Sequence, residues 1–80
     1  MEFKEEGYWI CRHPEHPGIL EIFEAKELKK AQNMEGGYVL IAQADTYEAA
    51  VERVQSIMTE VWHRDPHMKD IKAQIAELYQ

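Results

Sequence analysis

The sequence has little cysteine, little proline and no long apolar stretch. Cys11 is the single cysteine among 80 residues, so an intramolecular disulfide is excluded, whereas small secreted domains usually carry several stapling cysteines. The longest apolar run is 38–42, but a membrane span needs about 20 residues and a signal peptide an apolar stretch of roughly 7 to 15. These absences predict a cytoplasmic protein that neither spans a membrane nor is exported.

Positive charge is also scarce. Nine lysines and arginines face fifteen aspartates and glutamates, for a net charge of −6, and such a chain repels a phosphate backbone. Arg12 is the only base near Trp9, so the basic and aromatic alternation of single-strand binders is missing. Direct nucleic-acid binding is therefore not expected.

The recognisable catalytic motifs are missing too. We find no glycine-rich phosphate loop, no motif of paired carboxylates and no Ser-His-Asp pattern in the sequence. We therefore expect a protein that is not an enzyme and that has no cofactor.

The composition is that of one ordinary globular domain. Hydrophobic residues make up 45% and charged residues 30% of the chain, and a chain of this length is too short for two domains. Residues 1–7 are mostly charged and end at a glycine, so they predict a flexible arm. Residues 8–80 then form a single domain.

Three segments have the composition of β-strands. They are 8–13, which stops at a proline, 19–24, which follows a Pro-Gly turn, and 38–44. The third is the most apolar, and we expect it to be the central strand. The segment 25–32 holds good helix formers but is short, so it predicts either a short helix or a continuation of the second strand.

Two helices are expected in the C-terminal half. Asp45 and Thr46 supply an N-cap for the first, with Glu48 placed as in a capping box. Asp65 and Pro66 have the order expected at the start of the second. The apolar positions at spacings of three and four are Tyr47, Ala50, Val51, Val54, Ile57, Met58 and Val61 in the first helix and Met68, Ile71, Ile75 and Leu78 in the second.

The order of elements predicts an α+β fold in which two C-terminal helices cover a three-stranded, mainly antiparallel sheet. Both faces of the sheet contain apolar residues, and two helices cover only one face. An open apolar face or a free strand edge would then remain, and both are typical surfaces for a protein partner.

Six residues are candidates for contact with a partner. Glu48, Glu52 and Glu60 are spaced along the solvent side of the first long helix, where they predict an acidic stripe that a basic partner would recognise. Trp9, Trp62 and Phe23 are the aromatic candidates, because large aromatic residues are enriched at the centres of interfaces. We expect Trp9 and Trp62 to be exposed.

Cysteine and histidine supply a second kind of candidate site. Cys11 and His13 share a face of the first strand, so a thiol-imidazole pair is conceivable, and with His16, His63 and His67 they offer ligands that zinc selects. Their spacing matches no usual structural zinc pattern, and Pro66 interrupts the helix between the last two. The sequence therefore favours packing and solvated roles over a metal site.

Three functional hypotheses follow. The first is a small acidic module that binds a protein partner and can also pair with itself as a homodimer. Its specific version is an inhibitor, encoded by a phage or mobile element, that presents its acidic helix to a basic groove. The alternative is a zinc- or thiol-dependent protein that uses Cys11, His13 and His16. A third reading is a subunit that is stable only in a larger assembly.

Overall fold

A computed structural model of the chain describes residues 6–67 and 69–79. The elements in chain order are β1 (Tyr8–Arg12), β2 (Glu21–Glu24), α1 (Ala25–Met34), β3 (Val39–Ala44), α2 (Tyr47–Arg64) and α3 (Ile71–Leu78). The predicted α+β class and the antiparallel sheet are confirmed. No helix in the described part of the chain has both the length and the apolar composition that a membrane span requires.

The three strands lie in the order β2-β1-β3. β1 pairs antiparallel with both neighbours, so the expectation that 38–44 forms the central strand is wrong. Trp9, Ile10 and Cys11 of β1 are fully buried, whereas most of β3 is half-buried. β3 is apolar because its two faces belong to two buried clusters, with Ala44 in one and Leu40 packed against the other. An edge strand that contacts apolar groups on both faces can therefore be as apolar as a central strand.

A β-bulge interrupts the pairing of β1 with β3. Ile10 lies opposite Ala42, but Cys11 lies opposite Leu40, so Ile41 is the extra residue. A bulge of this kind bends the strand and increases its local twist.

One face of the sheet packs against α2 and α3. The buried residues there are Ile10, Ala44, Ala50, Ile57, Val61 and Ile75. They include three positions of the predicted stripe of α2, which buries that side of the helix against the sheet. Burial of each isoleucine or valine side chain among them contributes about 1.5 to 3 kcal/mol.

The opposite face is covered by α1, which the sequence analysis left ambiguous. Trp9, Cys11, Ala25, Leu28 and Tyr38 form a second buried cluster there. The expectation of an open apolar face is therefore wrong for this part of the sheet, and so is the expected exposure of Trp9, which is 1% exposed. The physical reason is that 25–34 is helical, and this places Leu28 over the sheet.

Capping explains where α2 and α3 begin. Thr46 is the N-cap of α2, and its Oγ1 accepts a hydrogen bond from the Ala49 N–H. The expected start of the second helix at Asp65 is wrong, because α3 starts at Ile71 with Asp70 as its N-cap.

Asp65 organises the loop before α3. Its carboxylate accepts hydrogen bonds from the N–H groups of His67 and Lys69 and from the side-chain amide of Gln74. An aspartate side chain can accept hydrogen bonds from nearby backbone N–H groups in a turn as well as at the start of a helix. Met68 of the predicted stripe lies outside the described residues.

Of the predicted arm, only Glu6 and Gly7 belong to the described residues. The carbonyl oxygen of Gly7 accepts a hydrogen bond from the Ala25 N–H, and that of Glu6 accepts one from the Gln43 side chain. The end of the arm is thus tied to α1 and β3. Gly7 has a φ of 81°, a left-handed conformation that favours glycine.

Candidate functional site

Two histidines and two glutamates meet where the turn after β1 approaches the turn between α1 and β3. We call His13, His16, Glu21 and Glu35 the His–Glu cluster. His13 and His16 follow β1, Glu21 begins β2, and Glu35 follows α1. The cluster therefore brings together residues next to three consecutive elements, and its most distant members in the sequence are His13 and Glu35.

His16 is held between two carboxylates. Its Nδ1 lies 2.9 Å from Glu21 Oε2 and its Nε2 lies 2.8 Å from Glu35 Oε1. Hydrogen bonds to Glu35 and then to Glu21 raise the pKa of His16, and the hydrogen bond from His16 lowers the pKa of Glu35. Both shifts favour an imidazolium ring that donates from both nitrogens.

His13 is buried and uses both ring nitrogens. Its Nδ1 accepts a hydrogen bond from the Glu15 N–H at 3.2 Å, and its Nε2 lies 2.9 Å from the carbonyl oxygen of Gly36. This pattern assigns the ring proton to Nε2. The ring stacks on His16, with centroids 3.9 Å apart and planes 8° from parallel.

Gly37 leaves room for the His13 ring. A Cβ at this position would lie 2.8 Å from His13 Nε2, and the residue has a φ of +85°. Both facts require glycine here. The Gly36-Gly37 pair is therefore part of the site.

Tyr38 closes the other side of the cluster. Its hydroxyl donates to Glu35 Oε2 at 3.2 Å, and its ring meets the His13 and His16 rings edge-on. Burial, followed by the charge of Glu35, raises the pKa of Tyr38. The backbone N–H and carbonyl of Tyr38 bond to the side chain of Gln32, which fixes the turn relative to α1.

Three residues of this cluster offer metal ligands. One ligand atom each from His13, His16 and Glu35 lies within 4.8 Å of the others, and this is the one group of its kind among the described residues. Two of the five sequence candidates are thus brought together. Glu35 was not among the candidates, because only the helical form of 25–34 returns it to the first turn.

Cys11 does not join them. Its Sγ is buried and donates to the carbonyl oxygen of Glu21 at 3.8 Å. Burial, and then the charge of Glu21, raises the pKa of Cys11 to about 12. Since the thiolate is the nucleophile and the metal ligand, this environment opposes both roles.

His63 and His67 lie elsewhere and are exposed. His63 is in the last turn of α2, and His67 is in the loop before α3. Neither belongs to the His–Glu cluster.

The three glutamates of the predicted acidic stripe are all exposed on α2. Glu52 and Glu60 line one shallow depression together with Gln55, Ser56, Thr59 and His63. Glu60 also accepts a hydrogen bond from the Tyr79 hydroxyl at 2.9 Å. The acidic face of α2 therefore exists, and one of its carboxylates is already shared with the C-terminal end of α3.

The aromatic candidates differ in exposure. Trp62 is 51% exposed on α2 and contacts the ring of His63, so its expected exposure is confirmed. Phe23 is half-buried and packs edge-on against Tyr38, with ring centroids 5.3 Å apart. Phe23 and Trp9 thus contribute to the core beneath α1.

The outer edge of β3 is a further surface. Among the described residues, no strand pairs with this edge. A shallow groove lies beside it, between α1 and β3, lined by Leu28, Lys29, Gln32, Asn33 and Leu40. The sequence analysis expected an open apolar face or a free strand edge, without naming the strand.

No protein-family model matches the sequence, and neither a curated protein nor a solved structure matches the chain. The functional argument therefore rests on the chemistry and geometry of these residues.

Proposed function

We propose that this chain is a protein-binding module that pairs with a second copy of itself through the outer edge of β3. The observation that supports this proposal is the character of that edge. β3 is the longest strand, with six residues of sequence VLIAQA, and it contains no charged residue and no proline. Natural edge strands are usually protected by charge, proline or a covering element.

The opposite edge of the sheet has such protection. β2 has four residues, and a glutamate stands at each end. Short edge strands that carry charge resist pairing with another chain. The difference between the two edges makes β3 the side on which the sheet would extend.

A second copy suits this edge better than a charged partner. Two β3 strands that pair antiparallel about a two-fold axis satisfy the backbone groups of both edges at once. No charge on either strand opposes this pairing. The groove between α1 and β3 adds the half-buried Leu40 as apolar surface that the second copy would cover.

The test is the oligomeric state of the purified chain, measured by native mass spectrometry and by light scattering after gel filtration, over a wide range of protein concentration. The informative variant is Val39→Lys, because Val39 opens β3 and is half-buried. A lysine there puts a charge on the pairing strand, the feature that protects natural edge strands, and we expect the dissociation constant of the dimer to rise by at least about tenfold.

The matched control is Gln55→Lys, which adds the same charge on the exposed face of α2. We expect Gln55→Lys to dimerise as the wild type does. A wild-type chain that stays monomeric at all concentrations contradicts the proposal. A dimer that Gln55→Lys weakens and Val39→Lys leaves intact contradicts it as well, since the interface would then be α2.

The acidic face of α2 supports a second candidate function, the docking of a basic protein. Glu48 and Glu52 are exposed, and Trp62 on the same helix is 51% exposed, a combination of charge and aromatic surface found in interfaces. The inhibitor hypothesis is the specific form of this reading, with the helix occupying the nucleic-acid groove of an enzyme.

Affinity capture at low and at high salt tests this candidate. A basic partner retained by the wild type should be lost at high salt and lost from the double variant Glu48→Lys and Glu52→Lys. Retention by the double variant at low salt would exclude the acidic face as the docking surface.

A further inference from the structure

We propose that His13, His16 and Glu35 form a binding site for one zinc ion, with Glu21 as the hydrogen-bond acceptor that orients His16. This inference is independent of self-association, because none of these four residues lies on β3.

The spacing of the ligand atoms fits zinc. In a tetrahedral site with zinc bonds of about 2.0 to 2.1 Å, neighbouring ligand atoms lie about 3.3 Å apart. Glu35 Oε1 lies 2.8 Å from His16 Nε2 and 3.7 Å from His13 Nε2. The ligand atoms are therefore close enough for one ion, and rotation of the two stacked imidazole rings would direct their nitrogens toward it.

Glu21 already occupies the position of an orienting residue. Its Oε2 lies 2.9 Å from His16 Nδ1, on the side of the ring away from Glu35. Metal-binding histidines usually donate the N–H of the second ring nitrogen to a carboxylate in this way, which directs the other nitrogen to the metal. The arrangement presents His16 Nε2 as the ligand.

Zinc binding changes the protonation of both rings. His16 Nε2 releases its proton to solvent as the zinc bond forms, while Nδ1–H stays bonded to Glu21. His13 would move its proton from Nε2 to Nδ1 and give up two hydrogen bonds, the one from Nε2 to the Gly36 carbonyl and the one that Nδ1 accepts from the N–H of Glu15, an exposed turn residue. The two rings also open from their parallel stack, because an imidazole nitrogen binds a metal in the plane of its ring.

The charge around the site is compatible with a divalent cation. Glu21 and Glu35 bring two carboxylates, and Lys72 brings one ammonium group, which donates to the carbonyl oxygen of His16. Two histidines with one carboxylate form a ligand set that zinc uses when its fourth position is held by water. This site differs from the sequence-based zinc hypothesis, since Glu35 takes the place of Cys11.

The first experiment is calorimetric titration of the metal-free chain with zinc chloride, in the wild type and in His16→Gln and Glu35→Gln. His13 is left intact because it is buried, and circular dichroism confirms that each variant is folded. We expect one zinc per chain and an affinity at least tenfold weaker in each variant. Glu21→Gln should weaken binding by about 10- to 100-fold.

Two controls match these variants. Glu27→Gln removes one exposed carboxylate from α1, and the double variant His63→Gln and His67→Gln removes two exposed imidazoles. Both should bind zinc as the wild type does. Repeating the zinc titrations in the Val39→Lys variant separates zinc binding from self-association.

The second experiment reads the ring nitrogens directly by ¹⁵N NMR. Zinc should shift the Nε2 signals of His13 and His16 and leave those of His63 and His67 unchanged. The proposal is overturned by the absence of zinc binding, by binding that His16→Gln and Glu35→Gln do not weaken, or by shifts confined to His63 and His67.

Discussion

Replacement of Leu28 by alanine tests whether α1 is anchored on the sheet beside an open groove. Leu28 is 1% exposed and belongs to the buried cluster beneath α1. The substitution removes three carbon atoms, and at about 0.8 kcal/mol for each this costs about 2.4 kcal/mol. Because the vacated space opens into the groove that Leu28 lines, the term for a closed cavity adds little.

Ile57→Ala is the matched substitution in the other core. It also removes three carbons, from a residue that is 1% exposed between α2 and the sheet. Here the space is enclosed, so we expect a cost of about 4 kcal/mol, within the range of about 2 to 5 kcal/mol for such changes. The two variants should thus differ by about 1.5 kcal/mol.

Urea unfolding at low micromolar protein measures both costs, and thermal melting checks them. For a domain of this size, Leu28→Ala should lower the Tm by roughly 10 to 20 °C, and Ile57→Ala by more. A cost below about 1 kcal/mol for Leu28→Ala would refute the anchoring of α1. A cost equal to that of Ile57→Ala would refute the open groove.

Three further predictions concern a cap, the thiol and the cluster. Thr46→Ala removes the acceptor of the Ala49 N–H and should cost about 1 kcal/mol in urea unfolding, and no measurable cost would refute this cap. Cys11, whose pKa burial raises to about 12, should react with a thiol reagent only on unfolding, so rapid labelling of the native chain would contradict its burial. His16→Gln should lower the Tm most between pH 4.5 and 6.5, the ordinary pKa values of glutamate and histidine. The raised pKa of His16 gives stability that is complete below 6.5 and is lost as the pH rises, while the lowered pKa of Glu35 gives stability that is lost as the pH falls below 4.5. Thermal melts across pH check this, and a difference that grows at alkaline pH would contradict it.

Local patterns predicted the elements of this fold well. The strands at 8–13, 19–24 and 38–44 contain the observed β1, β2 and β3, and Thr46 caps α2 as one of two proposed residues. These features depend on residues that are close in sequence, such as turn formers and apolar spacing. Asp65 shows where local patterns fail. The same aspartate can cap a helix or accept hydrogen bonds from the N–H groups of a loop, and here it does the second.

The order of the strands and the burial of Trp9 could not be predicted in this way. Both depend on α1, whose segment reads equally as helix or strand until Leu28 packs on the sheet. Once α1 covers that face, Trp9 becomes core and β1 becomes the strand shielded on both sides.

The candidate site was found only in part from the sequence. His13 and His16 stood out as metal-ligating residue types near one turn, but Glu35 lies 19 residues beyond His16 in the chain. Only the path of α1 and the glycine turn after it bring that carboxylate back. The acidic face of α2 followed from helical spacing alone, and its three glutamates are exposed as expected.

The most direct test of the proposed pairing is amide hydrogen exchange of residues 39–44, followed by NMR at low and at high protein concentration. The N–H groups of β3 that point away from β1 have no strand partner within the described chain. If two copies pair along β3, the exchange of these amides slows as the concentration rises, and Val39→Lys shifts this slowing to concentrations at least about tenfold higher. Exchange that stays fast at every concentration, or protection that develops on α2 instead, would contradict self-association through β3.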